Sequence, residues 1–350
     1  MKIAYIVPSL LQAGPVNVVL DLTKLMTSHG HECHVYYFDN LVSLSFPCEV
    51  HRISFSTRIH FDDFDVVHTH GLRPNLYVLR HKKWHTKTFF ITTFHNYVFD
   101  DFLFEYGRLK SWVGGTLFLF SALRHDKIIT LSKDAMAYYN RWFRLSKLEY
   151  VYNSRILDSD AVLTVIETEE ILSFKEKSIL IGTNCSLQHR KGIDLLLQSM
   201  VLLPSHYKLF IVGEGADRLH YENMIAELGL KKRVYLAGAK KEAYRYLPYY
   251  DIYVLPSRSE GFPLSLLEAA AYGKQVVCSN IPVFKETFTE KEAIMFELPQ
   301  VDDLAKAILE SYEKKDLGRN IKSKFDAEYS PQCMYDKHIQ IYNCRTHLFL

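Results

Sequence analysis

Two glutamates, Glu260 and Glu268, lie in a segment that begins as a turn and continues as a predicted helix. A strand is expected to end at Leu255, and the helix is expected to begin near Leu264. The N-terminus of such a helix presents free N–H groups and the positive end of the helix dipole to a diphosphate. A carboxylate accepts hydrogen bonds from vicinal hydroxyls, so Glu268 suits a ribose and Glu260 a hexose ring. Glutamates also flank helix starts for capping reasons, so the pair alone does not establish a site.

Basic residues precede a second predicted helix, which continues through Ile193 and several leucines. Arg190 and Lys191 stand at its start, where cations are natural ligands for phosphate because they form charge-assisted hydrogen bonds. Solvated basic turns are frequent as well. The residues alone therefore leave both interpretations open.

Glycines follow two of the predicted strands. Gly213 and Gly215 come after one, and Gly14 lies between the first strand and the first helix. Such glycines allow a backbone to approach a nucleotide closely, although a tight turn needs them equally. A dinucleotide fingerprint requires a third glycine where the chain has Arg218, which disfavours a nicotinamide-linked oxidoreductase.

Histidines end two further predicted strands. His68 and His70 form a His-x-His pair, and His95 follows the next strand. The pair could suggest a metal, but the sequence places no third ligand beside it. The string from Asp63 to Asp65 matches an Asp-x-Asp metal motif but precedes a strand, so we interpret it as coincidence. No cofactor and no catalytic metal are expected.

The segment from Glu260 to Glu268 resembles the Glu-x7-Glu signature of glycosyltransferase family 4. The resemblance rests on two stretches: Glu260, Gly261, Phe262, Pro263, Leu264, Ser265 and Glu268, and the run Lys191-Gly192-Ile193-Asp194. It implies that Glu260 contacts the donor sugar, that Glu268 contacts the nucleotide ribose, and that Lys191 binds the diphosphate. It also implies that His95 approaches the donor sugar. The catalytic group would then be Glu260, His95, Lys191 and Arg190.

The chain departs from the family pattern at two places. Ser186 stands where the family carries a second diphosphate-binding arginine, and Arg190 is the candidate replacement; this substitution stays open. Ala13 replaces the first glycine of a Gly-Gly pair, so only Gly14 is carried over as a donor-binding residue. Gly213 matches the family's Val-Gly-x-Gly turn and is carried over in the same way.

Short apolar runs alternate with helical segments, which predicts α/β domains with parallel sheets. A chain of 350 residues fits two such domains. The resemblance implies the GT-B architecture, in which two Rossmann-like domains face a central cleft. We expect an acceptor domain over residues 1–155, a donor domain over 156–330, and a C-terminal helix over 331–350 that packs back on the first. The predicted strands are Lys2–Val7, His34–Tyr37, Val66–Thr69, Phe89–Thr93, Lys127–Leu131, Ser178–Gly182, Lys208–Val212, Val234–Ala237, Ile252–Leu255 and Gln275–Val277.

Bulk properties indicate a cytoplasmic protein. Six scattered cysteines without a C-x-x-C pair fit a reducing compartment, and the N-terminus looks like a strand rather than a signal peptide. The formal charge of +2 gives no nucleic-acid signature. The longest apolar run, Trp112–Leu123, has about twelve residues, fewer than the roughly twenty that a membrane span needs.

The region 97–123 invites a peripheral membrane interpretation. It combines a basic excess in the first half of the chain with the aromatic residues Phe99, Phe102, Phe104, Tyr106 and Trp112, next to Arg108 and Lys110. A core or an acceptor pocket would use aromatic residues at the same spacing. The predicted location is the cytoplasm, at the inner face of the cytoplasmic membrane.

The resulting prediction is a retaining glycosyltransferase that moves a hexose from a nucleoside-diphosphate sugar to a hydroxyl. The acceptor would be a glycan or a lipid-linked sugar in surface polysaccharide or glycolipid synthesis, and the donor a UDP-sugar. Two alternatives remain: a non-hydrolysing sugar-nucleotide epimerase, and a non-catalytic protein that binds a nucleotide sugar.

Overall fold

The computed structural model describes residues 1–158 and 160–344, without the side chains of residues 104–106. The chain divides into two units. Unit 1 comprises residues 1–156 and the chain from Tyr329 onward, and unit 2 comprises Leu157–Glu328. Residues 345–350 of the expected C-terminal helix lie outside the described part.

Unit 1 is built on a seven-stranded parallel sheet. Its strands are β1 (Lys2–Leu10), β2 (Glu32–Val42), β3 (Glu49–Arg52), β4 (Val66–His70), β5 (Phe89–Phe94), β6 (Lys127–Thr130) and β7 (Leu148–Tyr150), in the order β3-β2-β1-β4-β5-β6-β7. Its first helices are α1 (Gly14–Ser28), α2 (Leu72–His81), α3 (Val98–Tyr106), α4 (Arg108–Ser121) and α5 (Lys133–Tyr139).

Unit 2 repeats the arrangement with six parallel strands. They are β8 (Ile179–Asn184), β9 (Tyr207–Val212), β10 (Val234–Leu236), β11 (Ile252–Leu255), β12 (Gln275–Ser279) and β13 (Ile294–Phe296), in the order β10-β9-β8-β11-β12-β13. The helices are α6 (Val165–Lys175), α7 (Ile193–Leu202), α8 (Arg218–Glu227), α9 (Leu264–Ala271), α10 (Pro282–Thr287), α11 (Val301–Glu313) and α12 (Asp316–Lys324).

A last helix, α13 (Pro331–Asn343), belongs to unit 1. Proline suits its first turn, and the Ser330 hydroxyl caps it by accepting from the Cys333 N–H. Tyr335 stacks on His29, the C-cap residue of α1, with ring centroids 3.8 Å apart. These contacts fix the end of the chain to the first unit, although most of the sequence lies between α1 and α13.

Both sheets are covered on their two faces, so their central strands are continuous apolar runs rather than alternating ones. Every residue of β4 and β5 is buried, and so is every residue of β11 and β12. The strands therefore carry the core. Their carboxyl ends are left to loops, which is where ligands bind in open parallel sheets.

The predicted parallel α/β class is confirmed, and so are all ten predicted strands, with ends shifted by up to five residues. Strands β3, β7 and β13 were missed, because each has only three or four residues; β13 is apolar but too short to be recognised, and β3 and β7 are interrupted by charged residues. The polar segment Asn153–Glu170 also holds the start of a helix that was not predicted. Helix α6 begins inside it, where the Thr164 hydroxyl and the Glu167 carboxylate form a capping box.

Candidate active site

The loop after β11 carries a buried carboxylate. Glu260 is 6% exposed, and its Oε1 accepts a hydrogen bond from the Ser257 hydroxyl at 2.7 Å. The same oxygen lies 2.5 Å from the Lys191 Nζ, and its Oε2 lies 3.5 Å from an Arg190 guanidinium nitrogen. Arg190 also donates to the Ser259 carbonyl at 3.1 Å. Two cations that are neighbours in sequence thus meet one carboxylate that lies 69 residues further along the chain.

The two cations are held by a short 3₁₀ turn, His189–Lys191, that precedes α7. Gly192 ends this turn in the left-handed region, at φ +70°, and a Cβ there would lie 2.0 Å from the Pro256 carbonyl oxygen. Only glycine therefore permits this close approach of the two loops. The Arg258 N–H donates to the Arg190 carbonyl at 2.8 Å, which joins the loops by backbone as well.

A second ion pair fixes the same two loops. The Arg258 guanidinium reaches both carboxylate oxygens of Asp194 at 2.8 and 2.6 Å, a bidentate geometry that gives orientation as well as energy. The Asp194 pKa is lowered: burial raises it, but the Arg258 hydrogen bonds and charge outweigh burial. Asp194 lies in the first turn of α7, so the pair anchors the β11 loop to that helix.

The charge state of Glu260 follows from its neighbours. Burial alone raises the pKa of this carboxyl, but the charges of Lys191 and Arg190 and the hydrogen bonds from Lys191 and Ser257 lower it further than burial raises it. The net pKa is below the ordinary value, so Glu260 is an ionised hydrogen-bond acceptor at neutral pH. The two cations and the carboxylate form a cluster of net positive charge.

Helix α9 begins directly after this loop, at Leu264 as predicted. Pro263 occupies the N-cap position, and its side chain has no acceptor for the first N–H groups of the helix. The residues before it are Gly261, which is partly exposed, and Phe262, which is 6% exposed. Ser265 lies in the first turn of α9, beside the end of the charged loop.

Glu268 lies one turn into α9 and is 9% exposed. Burial and then the nearby Glu268 carboxylate raise the pKa of Tyr272. Burial also raises the pKa of Tyr253, to which Glu268 contributes a smaller part. A carboxylate is thus placed among tyrosines on the helix that follows the cationic cluster.

The glycine turn after β9 supports a neighbouring loop. A Cβ at Gly213 would lie 1.7 Å from the Cys185 carbonyl oxygen, and one at Gly215 would lie 2.3 Å from that of Leu187. These glycines let the turn pass the segment that carries Ser186, whose hydroxyl donates to Gln188 at 3.2 Å. Close packing of the turn against this segment therefore explains why both positions are glycine. A contact between Gly213 and the donor stays a prediction.

Histidines gather at the strand ends of unit 1. His95 follows β5, and its Nε2 lies 2.8 Å from Nδ1 of His70, the last residue of β4. His68 is fully buried between the Tyr342 hydroxyl and the Thr93 hydroxyl, each 2.7 Å from a ring nitrogen. The contact with Tyr342 connects this cluster to α13.

These histidines are neutral at physiological pH. His95 retains some exposed surface, but burial of the rest lowers its pKa to about 3. Burial lowers the pKa of His68 and His70 as well. Nε2 of His70 is buried and has no hydrogen-bond partner among the described residues. Since His95 is uncharged, it can act as a hydrogen-bond donor or acceptor but not as a fixed cation.

Gly14 is the first residue of α1, after Ala13 at the N-cap position. A Cβ at Gly14 would meet nothing within 4 Å in the described part of the chain, in contrast to Gly192 and Gly213. The Asp-x-Asp string has an ordinary structural setting. Asp63 lies in a 3₁₀ turn, and Asp65 accepts a hydrogen bond from the Lys2 N–H at 2.9 Å.

The structure thus brings together Glu260, Lys191 and Arg190, with α9 and Glu268 following directly. Two of the predicted site residues, His95 and Gly14, lie in unit 1. Residues that orient the cluster were not predicted. Ser257, Arg258 and Ser259 directly precede Glu260 in the sequence, so their position next to the signature was the available signal; Asp194 lies in the lysine motif.

The chain has two Rossmann-like units, each built on a parallel sheet. In one of them a cationic cluster lies at the strand ends, beside a helix N-terminus. These are the features of a GT-B glycosyltransferase. Known proteins agree with this class. Residues 13–155 match the family model described as Glycosyltransferase Family 4, and residues 165–325 match the one described as Glycosyl transferases group 1. The O-antigen biosynthesis glycosyltransferase WclY of Escherichia coli is 32% identical, with 98% of each chain covered. The chain therefore belongs to glycosyltransferase family 4, and it is a glycosyltransferase.

Solved structures share the fold at low sequence identity. Sucrose-phosphate synthase of Thermosynechococcus elongatus superposes with a TM-score of 0.82 at 18% identity, covering 99% of both chains. HepE of Anabaena, in complex with UDP and glucose, superposes with a TM-score of 0.80 at 14% identity, covering 98% of this chain and 99% of that one. The predicted GT-B fold and family are confirmed, and the epimerase and non-catalytic alternatives are not favoured.

Proposed function

We propose that this glycosyltransferase moves a hexose from a UDP-sugar to a hydroxyl of a glycan or lipid-linked acceptor, retaining the anomeric configuration. The process would be surface polysaccharide synthesis, for which the similarity to an O-antigen glycosyltransferase is the support. The observation that carries the proposal is the convergence of Lys191 and Arg190 on Glu260, directly before the N-terminus of α9.

The cationic cluster suits the leaving group. Breaking the bond between the sugar and the diphosphate places negative charge on the outer phosphate, and charges fixed in advance stabilise it without reorganisation. Lys191 and Arg190 would supply two positive charges, and the first N–H groups of α9 would bind the rest of the diphosphate. Because these groups neutralise the leaving charge, we propose that transfer needs no metal ion.

The carboxylates would orient the donor. Glu260 is ionised and already accepts hydrogen bonds, so sugar hydroxyls can donate to its free lone pairs. Glu268 on α9 would bind the ribose hydroxyls, with Gly261, Phe262, Pro263, Leu264 and Ser265 forming the loop and first turn beside the nucleotide. UDP is proposed as the nucleotide because HepE, which shares this fold, binds UDP.

Unit 1 would approach the reacting sugar from its strand ends. The neutral His95 can hold a sugar hydroxyl without adding charge, and His70 fixes the orientation of its ring through their 2.8 Å contact. A Cβ at Gly14 would meet no atom of the described residues within 4 Å, which fits a loop that the diphosphate approaches. Retention would follow from attack on the same face of the sugar, with a leaving phosphate oxygen accepting the proton of the acceptor hydroxyl.

Donor binding tests the assignment. Thermal-shift measurements with UDP-, GDP- and ADP-sugars should single out the UDP series, since a ligand at a hundredfold its dissociation constant adds about 2.7 kcal/mol of stability. Glu268→Ala should weaken UDP binding by about 10–100-fold, equal to about 1.5–3 kcal/mol. Glu222→Ala, which removes a glutamate of α8, is the matched control and should bind normally. Equal binding by Glu268→Ala and wild type would contradict the ribose contact.

Product stereochemistry tests retention. The anomeric coupling constant of the first-formed product, measured by NMR, should match the configuration of the donor sugar. An inverted product would overturn the proposed same-face reaction while leaving the donor site intact.

Helix α4 has an exposed row of apolar side chains, which supports binding to a membrane surface. Its inner face packs Gly114 and Gly115 against the rings of Phe102 and Phe99, close enough that a Cβ at either glycine would clash. The aromatic residues Phe99 and Phe102 are therefore partly buried and pack against the core of unit 1, which favours the core interpretation for these two residues. The outer face is exposed at helical spacing over Leu109, Trp112, Val113, Leu117 and Phe120, and the exposed Leu123 follows the helix.

Charge and a second tryptophan accompany this row of side chains. Arg108 and Lys110 are exposed at its start, and Arg124 at its end stacks over Trp84, which is 88% exposed. Tryptophan and basic residues around an apolar face are typical of helices that lie in a membrane interface. No helix in the described part of the chain is long and apolar enough to span a bilayer. We propose that α4 binds the inner face of the cytoplasmic membrane, where lipid-linked acceptors lie.

Vesicle binding tests this surface. Wild type should sediment with vesicles that contain phosphatidylglycerol and much less with phosphatidylcholine alone, and Trp112→Glu should reduce binding by about tenfold or more. Leu219→Glu, at 68% exposure in unit 2 against 66% for Trp112, is the matched control. Equal sedimentation of Trp112→Glu and wild type would rule out this surface without affecting the transferase assignment.

A further inference from the structure

Three side chains meet on the outermost strands of the unit 1 sheet. The His34 Nδ1 lies 3.3 Å from the His51 Nε2 and 3.5 Å from a Glu49 carboxylate oxygen. The same Glu49 oxygen lies 3.4 Å from the His51 Nε2. The three atoms form a nearly equilateral triangle.

Strand pairing produces this triangle. In the parallel pair of β2 and β3, His34 is opposite Glu49, and Tyr36 is opposite His51. Residues two apart in a strand point to the same face, so Glu49 and His51 of β3 both stand beside His34. The arrangement needs β3, the short edge strand that the sequence did not reveal.

A hydrogen bond orients His34 for binding a cation. Its Nε2 lies 2.9 Å from a Glu32 carboxylate oxygen, which also contacts the Lys2 Nζ at 2.7 Å. Since a carboxylate accepts, Nε2 carries the proton and Nδ1 keeps its lone pair toward the triangle. Carboxylate–histidine pairs of this kind fix metal-binding histidines in the same tautomer.

The rings are also held in place by aromatic packing. Phe64 packs edge-on against His34 with centroids 5.3 Å apart, and Tyr36 stacks on His51 at 5.0 Å. The entrance is open, because the side chains of Glu49 and His51 are 72% and 40% exposed. The three ligands are therefore arranged on a rigid sheet and can be reached from solvent.

We propose that His34, Glu49 and His51 bind a divalent ion of the zinc type. Zinc bonds to histidine nitrogen and carboxylate oxygen at about 2.0–2.2 Å in tetrahedral geometry, which places neighbouring ligand atoms about 3.3–3.5 Å apart. The three measured separations fall in this range. Three protein ligands leave a fourth position for water.

The site is separate from the proposed transfer chemistry. His34 pairs with Ala4 near the start of β1, whereas His70 and His95 stand at the carboxyl ends of β4 and β5. A bound ion would join β3 to β2 and stabilise an edge that has one neighbouring strand. Its function would be structural, so metal binding and transfer are separately testable.

Direct titration tests the site. Metal-free protein, prepared by chelation and buffer exchange, is titrated with Zn²⁺ against a competing indicator. Wild type should bind one ion per chain that His51→Ala and Glu49→Gln lose, each with at least a hundredfold weaker affinity. Glu32→Gln should weaken binding by about 10–100-fold, because it removes the partner that fixes the His34 tautomer.

The matched control is His85→Ala, which removes an exposed histidine of the same unit. It should bind Zn²⁺ like wild type, and Zn²⁺ should raise the melting temperature of both but not of His51→Ala. Circular dichroism verifies that each variant is folded. If wild type binds no Zn²⁺, or if His51→Ala and Glu49→Gln bind it equally well, the three side chains form only a hydrogen-bonded cluster and the proposal is wrong.

Discussion

The two units place different chemistry at equivalent strand ends. In unit 2 the cluster of Glu260, Lys191 and Arg190 is ionised, and its buried charges are tolerated because each has a partner within 3.5 Å. In unit 1, His68, His70 and His95 are neutral, because burial lowers their pKa values. The same parallel α/β architecture thus holds two kinds of site. In unit 2 the side chains stay charged because they form ion pairs, and in unit 1 they stay neutral because they are buried away from water.

This difference indicates a division of labour. A departing diphosphate needs fixed positive charge, which the unit 2 cluster has. A sugar hydroxyl needs an oriented neutral partner, which His95 would provide in the proposed reaction. If this interpretation is correct, substitutions in the charged cluster should reduce turnover strongly. The neutral histidines should instead make the free energy of unfolding fall at acid pH.

The largest effect is expected from Lys191→Ala. Turnover should fall by about a thousandfold, equal to about 4 kcal/mol of barrier, because the variant loses a cation that is proposed to stabilise the leaving phosphate. Steady-state kinetics with the preferred UDP-sugar measures it. Lys208→Ala is the matched control: its ammonium is also ion-paired, and its side chain is 14% exposed against 12% for Lys191.

A double variant separates charge from folding. Lys191→Ala leaves Glu260 buried without its nearest partner and should reduce the free energy of unfolding by about 1–3 kcal/mol. Adding Glu260→Gln removes the buried charge and should recover stability but not turnover. Recovery of turnover would mean that Lys191 merely neutralises Glu260.

Arg190→Ala should reduce turnover by about a hundredfold, or roughly 2.7 kcal/mol of barrier. Donor affinity should fall less, because the interaction strengthens as the phosphate gains charge. Restoring arginine at Ser186 should recover part of the loss. Arg218→Ala, which removes a surface-paired arginine of unit 2, is the control. Near-normal turnover of Arg190→Ala would show that Lys191 and α9 suffice without it.

Acid should destabilise unit 1. Burial lowers the pKa of His95 and His125 to about 3, and that of His338 to about 4. An unfolded histidine titrates near 6.5, so below that pH the unfolded chain binds protons that the folded unit does not. Stability contributed by neutral burial is complete above pH 6.5 and is lost as the pH falls toward 3–4. At pH 5.5 each histidine should account for about 1.4 kcal/mol of lost stability.

Tryptophan fluorescence can follow this unfolding, because Trp84, Trp112 and Trp142 all lie in unit 1. Denaturant titrations at pH 7.5 and 5.5 give the free energies. His125→Gln should lessen the fall in stability, whereas His85→Gln, at an exposed position, should not. A free energy of unfolding that is equal at both pH values would show that the histidines are protonated in the folded protein.

The smallest effect is expected from chelation. Transfer should proceed at an unchanged rate in EDTA, because in the proposed reaction Lys191, Arg190 and the N-terminus of α9 would neutralise the diphosphate. Loss of activity that Mg²⁺ or Mn²⁺ restores would contradict this. His51→Ala is the control for the proposed zinc site of His34, Glu49 and His51. If EDTA slows wild type but not His51→Ala, the loss of activity arises from removal of the ion at that site.

Local pattern predicted most of the fold and the donor-side segment. Central strands such as β1 and β11 are buried on both faces, so their sequences are short apolar runs that can be recognised without a structure. The start of α9 was predicted at Leu264 because a turn rich in proline and glycine precedes a leucine-rich helix. Edge strand β3 was missed because it is short and mostly exposed, and it therefore carries no apolar signal.

The sequence by itself determined the class of fold, the family, and the identity of Glu260, Lys191 and Arg190 as candidates. Only the tertiary structure decided that these three contact one another, since Lys191 and Glu260 are 69 residues apart. The same holds for the meeting of His34 with Glu49 and for the packing of α13 on unit 1. Periodicity is a local property that each segment carries, whereas a contact between distant segments depends on strand order and register, which are set by how all the strands pack together.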